Sequence, residues 1–230
     1  MKHQQFLQQL SNLSTSLIPI RASESPSKKY TKIDLSTAAK ALEQLDLTNP
    51  TAMEIYIKGY CAQQGASVAY GGYLEERNLY KRSDHFNQED ASTERNIHLG
   101  VDFWAAKGTP VLAPLSGKIH SFQDNVGLGD YGPTILLAHE LVGECFYSLY
   151  GHLNRTSLEG LVVGQTIKAG EVLAHLGGAE VNGDYAPHLH FQLIRDLEGK
   201  KGDYPGVCSQ KDLPFYQQNC PDPALLFYFL

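Results

Sequence analysis

Nothing in the 230-residue sequence approaches the ~20 consecutive apolar residues that a bilayer-crossing helix needs; the longest candidate, ALLFYFL at residues 224–230, is far shorter, and no membrane span is expected. Basic clusters are lacking too. Nothing exceeds a pair such as Lys28-Lys29, Lys81-Arg82 or Lys200-Lys201, and a formal charge of -6 with a pI near 5.8 argues against a general nucleic-acid binder, which needs grouped Lys and Arg against phosphate. There is no Cys-x-x-Cys pair: Cys61, Cys145, Cys208 and Cys220 are scattered, which argues against a structural zinc knuckle. The first residues, MKHQQFLQQLSNLSTSLIPI, lack the continuous apolar segment of an export signal, because Gln and Ser interrupt each hydrophobic stretch. The expectation is a cytoplasmic chain with free thiols, a Cys208–Cys220 disulfide being the alternative.

What is present divides near residue 66. The length suits one full hydrophobic core with a minor extension. Before residue 66, Phe6, Leu10, Leu13 and Leu17 recur at helical spacing, the polar stretch RASESPSKKYTK breaks the pattern, and Leu35, Ala38, Leu42 and Leu45 restart it behind Asp34 and Ser36. A third helix is expected to open at Asn49-Pro50. After residue 66, short Val-, Ile-, Leu- and Tyr-rich runs alternate with Gly, Pro, Asn and Asp. VLAPLSGKIHSF, PTILLAH, ECFYSLYGHL, EVLAHLG and PHLHFQLI are the strand candidates, with no helical stretch between them long enough for parallel crossovers. The expectation is therefore a mainly β, α+β chain: a helical extension over residues 1–66, then over 67–230 an antiparallel sheet folded on itself in short hairpins, a β-sandwich.

Chemistry concentrates in histidines. In PHLHFQLI a strand puts His188, His190 and Gln192 on one face and Leu189, Phe191 and Leu193 on the other, with same-face Cα atoms roughly 6–7 Å apart, close enough for two imidazoles to converge. For His98-Leu-Gly-Val-Asp102 an extended strand would part the end residues by about 13 Å, too far for two ligands each ~2 Å from one ion. Gly100, Val101 and Phe103 do not favour helix, so a bend at Leu99-Gly100 leading into a strand at Val101 is expected, swinging His98 back beside Asp102. His152 follows a Tyr-rich strand, where a side chain can project into a groove. Two His and one carboxylate would leave zinc an open position, the arrangement of a catalytic site. His3, His85, His120, His139 and His175 read singly as hydrogen-bonded or surface residues.

In combination, NIHLGVDFWAAKGTPVLAPLSGKI, LYGHL, GQTIKAGEVLAHLGG and PHLHFQLI resemble the lysostaphin/LytM-type peptidoglycan metallopeptidase family over roughly residues 95–195. The resemblance implies a duplicated-hybrid-motif-like β fold and one zinc ion held by His98, Asp102 and His190. It implies that His152 and His188 are the catalytic residues, and that the substrate is a peptide or peptidoglycan-derived. All five positions carry the residue the family motif requires. YLEERNLY (73–80), GDYPGVCSQ and CPDPALL look similar to the version of this module sometimes joined to phosphotransferase and class III aminotransferase domains. Typical members are exported, so the missing signal sets a cell-wall substrate in question. Residues 1–66 have no counterpart in the minimal catalytic module; capping the groove, binding a partner or completing the core are the roles open to them.

Two rivals remain. GTPVLAPLSGKI and IKAGEVLAHLG echo the hairpins of lipoyl or biotinyl carriers, but the only methionines are Met1 and Met53, and neither precedes a Lys at a hairpin tip. A fold-retaining regulator that binds a partner through its groove would not need the intact ligand set.

Overall fold

The structure is a computed structural model in which residues 2–13, 18–20, 30–78 and 93–227 are described. Helix α1 (His3–Asn12) buries Phe6 and Leu10, and Phe6 meets Phe146 edge-on at 5.8 Å. Leu17, the last position of the expected stripe, lies outside the described residues.

The next stretch departs from expectation. Tyr30–Lys32, at the end of the polar break, is a strand, β1. The second helix reduces to a single 3-10 turn at Lys40–Leu42. The Asp34 carboxylate takes the Ser36 amide at 2.9 Å, closing an Asx turn, and Ala39 is extended at ψ 99, so the local hydrogen bonds that a helix needs go elsewhere. The apolar periodicity was real, but it serves packing: Leu35 and Leu42 are buried with Met53, Ile57 and Trp104. Helix α2 (Pro50–Gln64) forms as expected, its amides at Thr51 and Ala52 capped by the Asn49 side chain, with Pro50 at its first position and Gly65 closing it at φ 63.

Strand β2 (Val68–Gly71) opens the β-rich part, followed by β3 (Ile97–His98), β4 (Val101–Trp104), β5 (Pro110–Leu112), β6 (Gly117–Asn125), β7 (Gly132–Leu141) and β8 (Glu144–Gly151). Then come β9 (Thr166–Ile167), β10 (Val172–His175), β11 (His188–Ile194), β12 (Val207–Cys208) and helix α3 (Leu213–Asn219). All five strand candidates are strands. Of the twelve strands among the described residues, eight form one sheet in the order β1-β2-β4-β11-β8-β7-β6-β9, with the ribbons β5–β10 and β3–β12 beside it. Among the described residues every strand pairing is antiparallel except β1 with β2, whose connection carries α2 as the crossover that a parallel pair requires.

Side chains alternate between two apolar clusters across the sheet. Ile135, Leu137, Leu189, Phe191 and Leu193 share one with Val111, Leu173 and Ala174 of the β5–β10 ribbon, which makes the second layer. Leu136, Leu149 and Ile194 face the other, under Ile97, Tyr204, Cys208 and Cys220. The C-terminal run packs into the first of these clusters as far as Leu226 and Phe227, both buried; residues 228–230 lie outside the described residues. All four cysteines are free. No helix among the described residues is long and apolar enough to cross a membrane.

Candidate metal centre

The hydrogen-bond register of β11 builds the site. His190 stands opposite Asp102 of β4 on one side and Gly151 of β8 on the other, while His188 stands opposite Trp104. The expected bend is present: β3 ends at His98, Leu99-Gly100 turn, and β4 begins at Val101. Gly100 is required there, since a Cβ would lie 2.7 Å from His190 Cε1. His152 follows β8 directly, at φ 63, a left-handed conformation uncommon for a side-chain-bearing residue and often associated with functional sites. All five predicted side chains come together, each at most 5% exposed, around a cavity of about 290 Å³.

Three acceptor atoms converge without a proton among them. His98 Nδ1 lies 2.9 Å from the Gly72 carbonyl, which can only accept, so that nitrogen carries the proton and Nε2 turns a lone pair inward. Gln192 gives its amide nitrogen to the Pro205 carbonyl and Cys220 Sγ, leaving its oxygen for His190 Nε2–H at 2.9 Å, so His190 Nδ1 also presents a lone pair. These two nitrogens are 2.8 Å apart, and Asp102 Oδ1 is 3.2 Å from one and 3.3 Å from the other. That oxygen is buried with no hydrogen-bond partner. Two lone pairs and an orphaned carboxylate oxygen at such distances repel one another unless a cation lies among them, and two N and one O donor are a zinc-compatible set.

His152 and His188 are set differently. Their Nδ1–H groups donate to the carbonyls of Asn182 and Ala186 at 2.9 and 2.8 Å, which leaves each Nε2 as a base; His188 Nε2 is 4.0 Å from Asp102 Oδ1. Their rings lie 4.2 Å apart, with Trp104 stacked on His188 at 4.2 Å and Tyr185 edge-on to both. Tyr131 packs beside His152 and His190. Burial pushes His98 and His188 down to about 4 against the opposing pull of Asp102, and holds His152 well below its ordinary range. Burial alone would raise the Asp102 carboxyl, yet His98, Arg77 and His188 outweigh it and keep Asp102 ionised. Of the lone histidines, His139 bonds Ser116 and Ser148 away from the site and is also pushed by burial to about 4, His120 bonds Ser121 and His175 is exposed, whereas His3 departs from the plain reading with a buried Nδ1 that has no hydrogen-bond partner. His85 lies outside the described residues.

The buried imidazoles imply acid sensitivity. The unfolded chain protonates them below ~6.5, whereas the fold resists until about 4, so stability is expected to fall as pH drops through that window, by up to ~1.4 kcal/mol per pH unit for each group. Thermal unfolding of metal-stripped protein between pH 7 and 4 measures this. A melting temperature flat across that range would contradict it.

Sequence reasoning passed over Arg77, Tyr131, Asn182 and Tyr185, which reach the site from loops. Only Arg77, within the YLEERNLY segment, offered any local signal. The described part of residues 1–66 lines none of the cavity, which begins at Arg77; it packs behind Trp104 and on the sheet.

A β framework thus gathers His, Asp and His, a group that could hold a metal ion, beside two further imidazoles. Residues 96–203 match Peptidase family M23, a zinc metallopeptidase family. An uncharacterized metalloprotease of Haemophilus influenzae is 34% identical over 96 residues, 42% of this chain and 18% of that protein. Lysostaphin of Staphylococcus staphylolyticus is 33% identical over 118 residues, 51% of this chain and 22% of that protein. The chain thus spans about a fifth of the length of these relatives. Among solved structures, the catalytic domain of lysostaphin from Staphylococcus simulans aligns at 28% identity with a TM-score of 0.39, covering 64% of this chain and 88% of that one.

Proposed function

We propose that the chain is a zinc-dependent endopeptidase acting on peptidoglycan-type or related peptides, with His98, Asp102 and His190 holding one zinc ion and His152 and His188 moving protons. The observation that carries this reading is the convergence of His98 Nε2, His190 Nδ1 and the unpartnered Asp102 Oδ1. Zinc, when bound, supplies Lewis acidity toward a carbonyl and toward water.

The chain's own groups do the rest. A neutral imidazole is a proton acceptor, and both His152 and His188 are held neutral by burial with Nε2 unprotonated. One takes the proton of the attacking water at Nε2 and, as the imidazolium it has become, returns it to the leaving amine; the other can hydrogen-bond the charge developing on the carbonyl oxygen only once its own Nε2 has gained a proton. The carbonyls of Asn182 and Ala186 fix both rings in the tautomer that a proton acceptor requires. Trp104, Tyr185 and Tyr131 exclude water from around them.

Cleavage profiling against a panel of muropeptides and oligoglycines, with and without chelator, tests the reading. At least one peptide is expected to be cut, with activity lost to chelator and restored by zinc. Cleavage that persists after the metal is stripped would overturn the zinc assignment, and zinc-loaded protein that cuts nothing would favour a groove that only binds.

A further inference from the structure

We infer that Arg77 is a positioning residue for the metal centre, contributed by a segment that precedes the family match: it pins Asp102 so that one carboxylate oxygen alone faces the two histidines. The inference rests on the reading of His98, Asp102 and His190 as metal ligands.

Arg77 is 1% exposed, and its Nη1 donates to Asp102 Oδ2 at 2.5 Å. Its Nε donates to Glu75 Oε2 at 2.6 Å, and the other oxygen of Glu75 accepts the Leu35 amide at 3.1 Å. A planar guanidinium can hold two carboxylates at fixed angles at once; a Lys ammonium on a flexible stem cannot. With Oδ2 engaged, Asp102 can neither rotate nor offer both oxygens inward.

The same segment orients a second ligand. Gly72 accepts the Nδ1–H of His98, and it must be glycine: φ is 107, and a Cβ would sit 2.0 Å from Arg77 Nη2 and 2.9 Å from His98 Nδ1. Backbone bonds hold the segment against β3, from Leu74 N to His98 O, His98 N to Glu75 O, and Arg77 N to Asn96 O, at 2.8 to 3.0 Å. Residues 72–77 therefore hold the outer faces of His98 and Asp102 although the family match starts at residue 96. Through Glu75 and Leu35 the hold runs on to the cluster containing α2. This gives the stretch before the match a part in the chemistry.

The test compares full-length wild type, Arg77→Lys, Arg77→Met and His190→Ala, reading zinc affinity by competition with a chromophoric chelator and the visible spectrum of the cobalt(II)-loaded protein. Outer partners of metal ligands are worth roughly 10- to 100-fold in metal affinity, so Arg77→Met is expected to weaken zinc binding by that factor, with Arg77→Lys between it and wild type. The cobalt bands of both variants should shift as the released carboxylate turns. Wild-type affinity and an unshifted spectrum in Arg77→Lys, the variant that keeps the charge and carries the test if Arg77→Met does not fold, would overturn the inference. So would tighter binding in Arg77→Met, the result expected if Arg77 acted only by repelling the cation. His190→Ala separates the two readings: if it holds zinc like wild type, the ligand assignment itself fails, whereas if it is empty while both Arg77 variants match wild type, only the role of Arg77 falls.

Discussion

His190→Ala is expected to empty the metal site and abolish peptide cleavage together. His190 Nδ1 is one of three converging donors, and the two that remain, His98 Nε2 and Asp102 Oδ1, cannot alone hold an ion that takes three protein ligands in catalytic sites. The substitution also frees Gln192 Oε1 and takes away the group facing the unpartnered carboxylate oxygen. Wild-type protein should carry about one zinc per chain, and the variant close to none. Losing the ion forfeits its several kcal/mol of charge stabilisation, about three orders of magnitude in rate or more. Metal analysis of the purified proteins, paired with circular dichroism to establish that the variant folds, makes the measurement. Metal content unchanged from wild type would refute the assignment of His190.

The β part was open to reading because its signals are local. In PHLHFQLI the alternation that puts Leu189, Phe191 and Leu193 in the core and His188, His190 and Gln192 opposite needs only the strand period of two, and the bend at Leu99-Gly100 follows from the distance that two ligands can span. What escaped detection depends on partners far away in the chain. Tyr30–Lys32 becomes a strand because β2 lies beside it after a crossover, and no period within three residues can announce that. Leu35 and Leu42 kept helical spacing yet pack from a turn, because Asp34 and Ser36 closed an Asx turn where helix caps were expected. Arg77 belongs with these: its meaning lies in Asp102, 25 positions on, and in Glu75 beside it. Loop residues such as Asn182, whose backbone carbonyl fixes the tautomer of His152, act through a group that every residue possesses, so their identity carries no signal.

His152→Ala is expected to separate chemistry from metal binding. The imidazole lies outside the His98, Asp102, His190 group, its ring centre 6.4 Å from that of His190, and its Nδ1–H is committed to the Asn182 carbonyl. Removing it should leave zinc affinity near wild type. Because a positioned acid or base contributes typically 10²- to 10⁴-fold, kcat should drop by that factor, with KM changing far less where the group acts on the transition state. The left-handed φ at this position makes alanine no better suited than histidine to the backbone, so a change in turnover cannot be assigned to relief of strain. Zinc content and kinetics on the same preparation give both halves of the result. A variant that loses its metal would make His152 a ligand, whereas one that keeps both metal and full turnover would leave His188 as the sole proton carrier, since its Nε2 is the other imidazole base in the cavity.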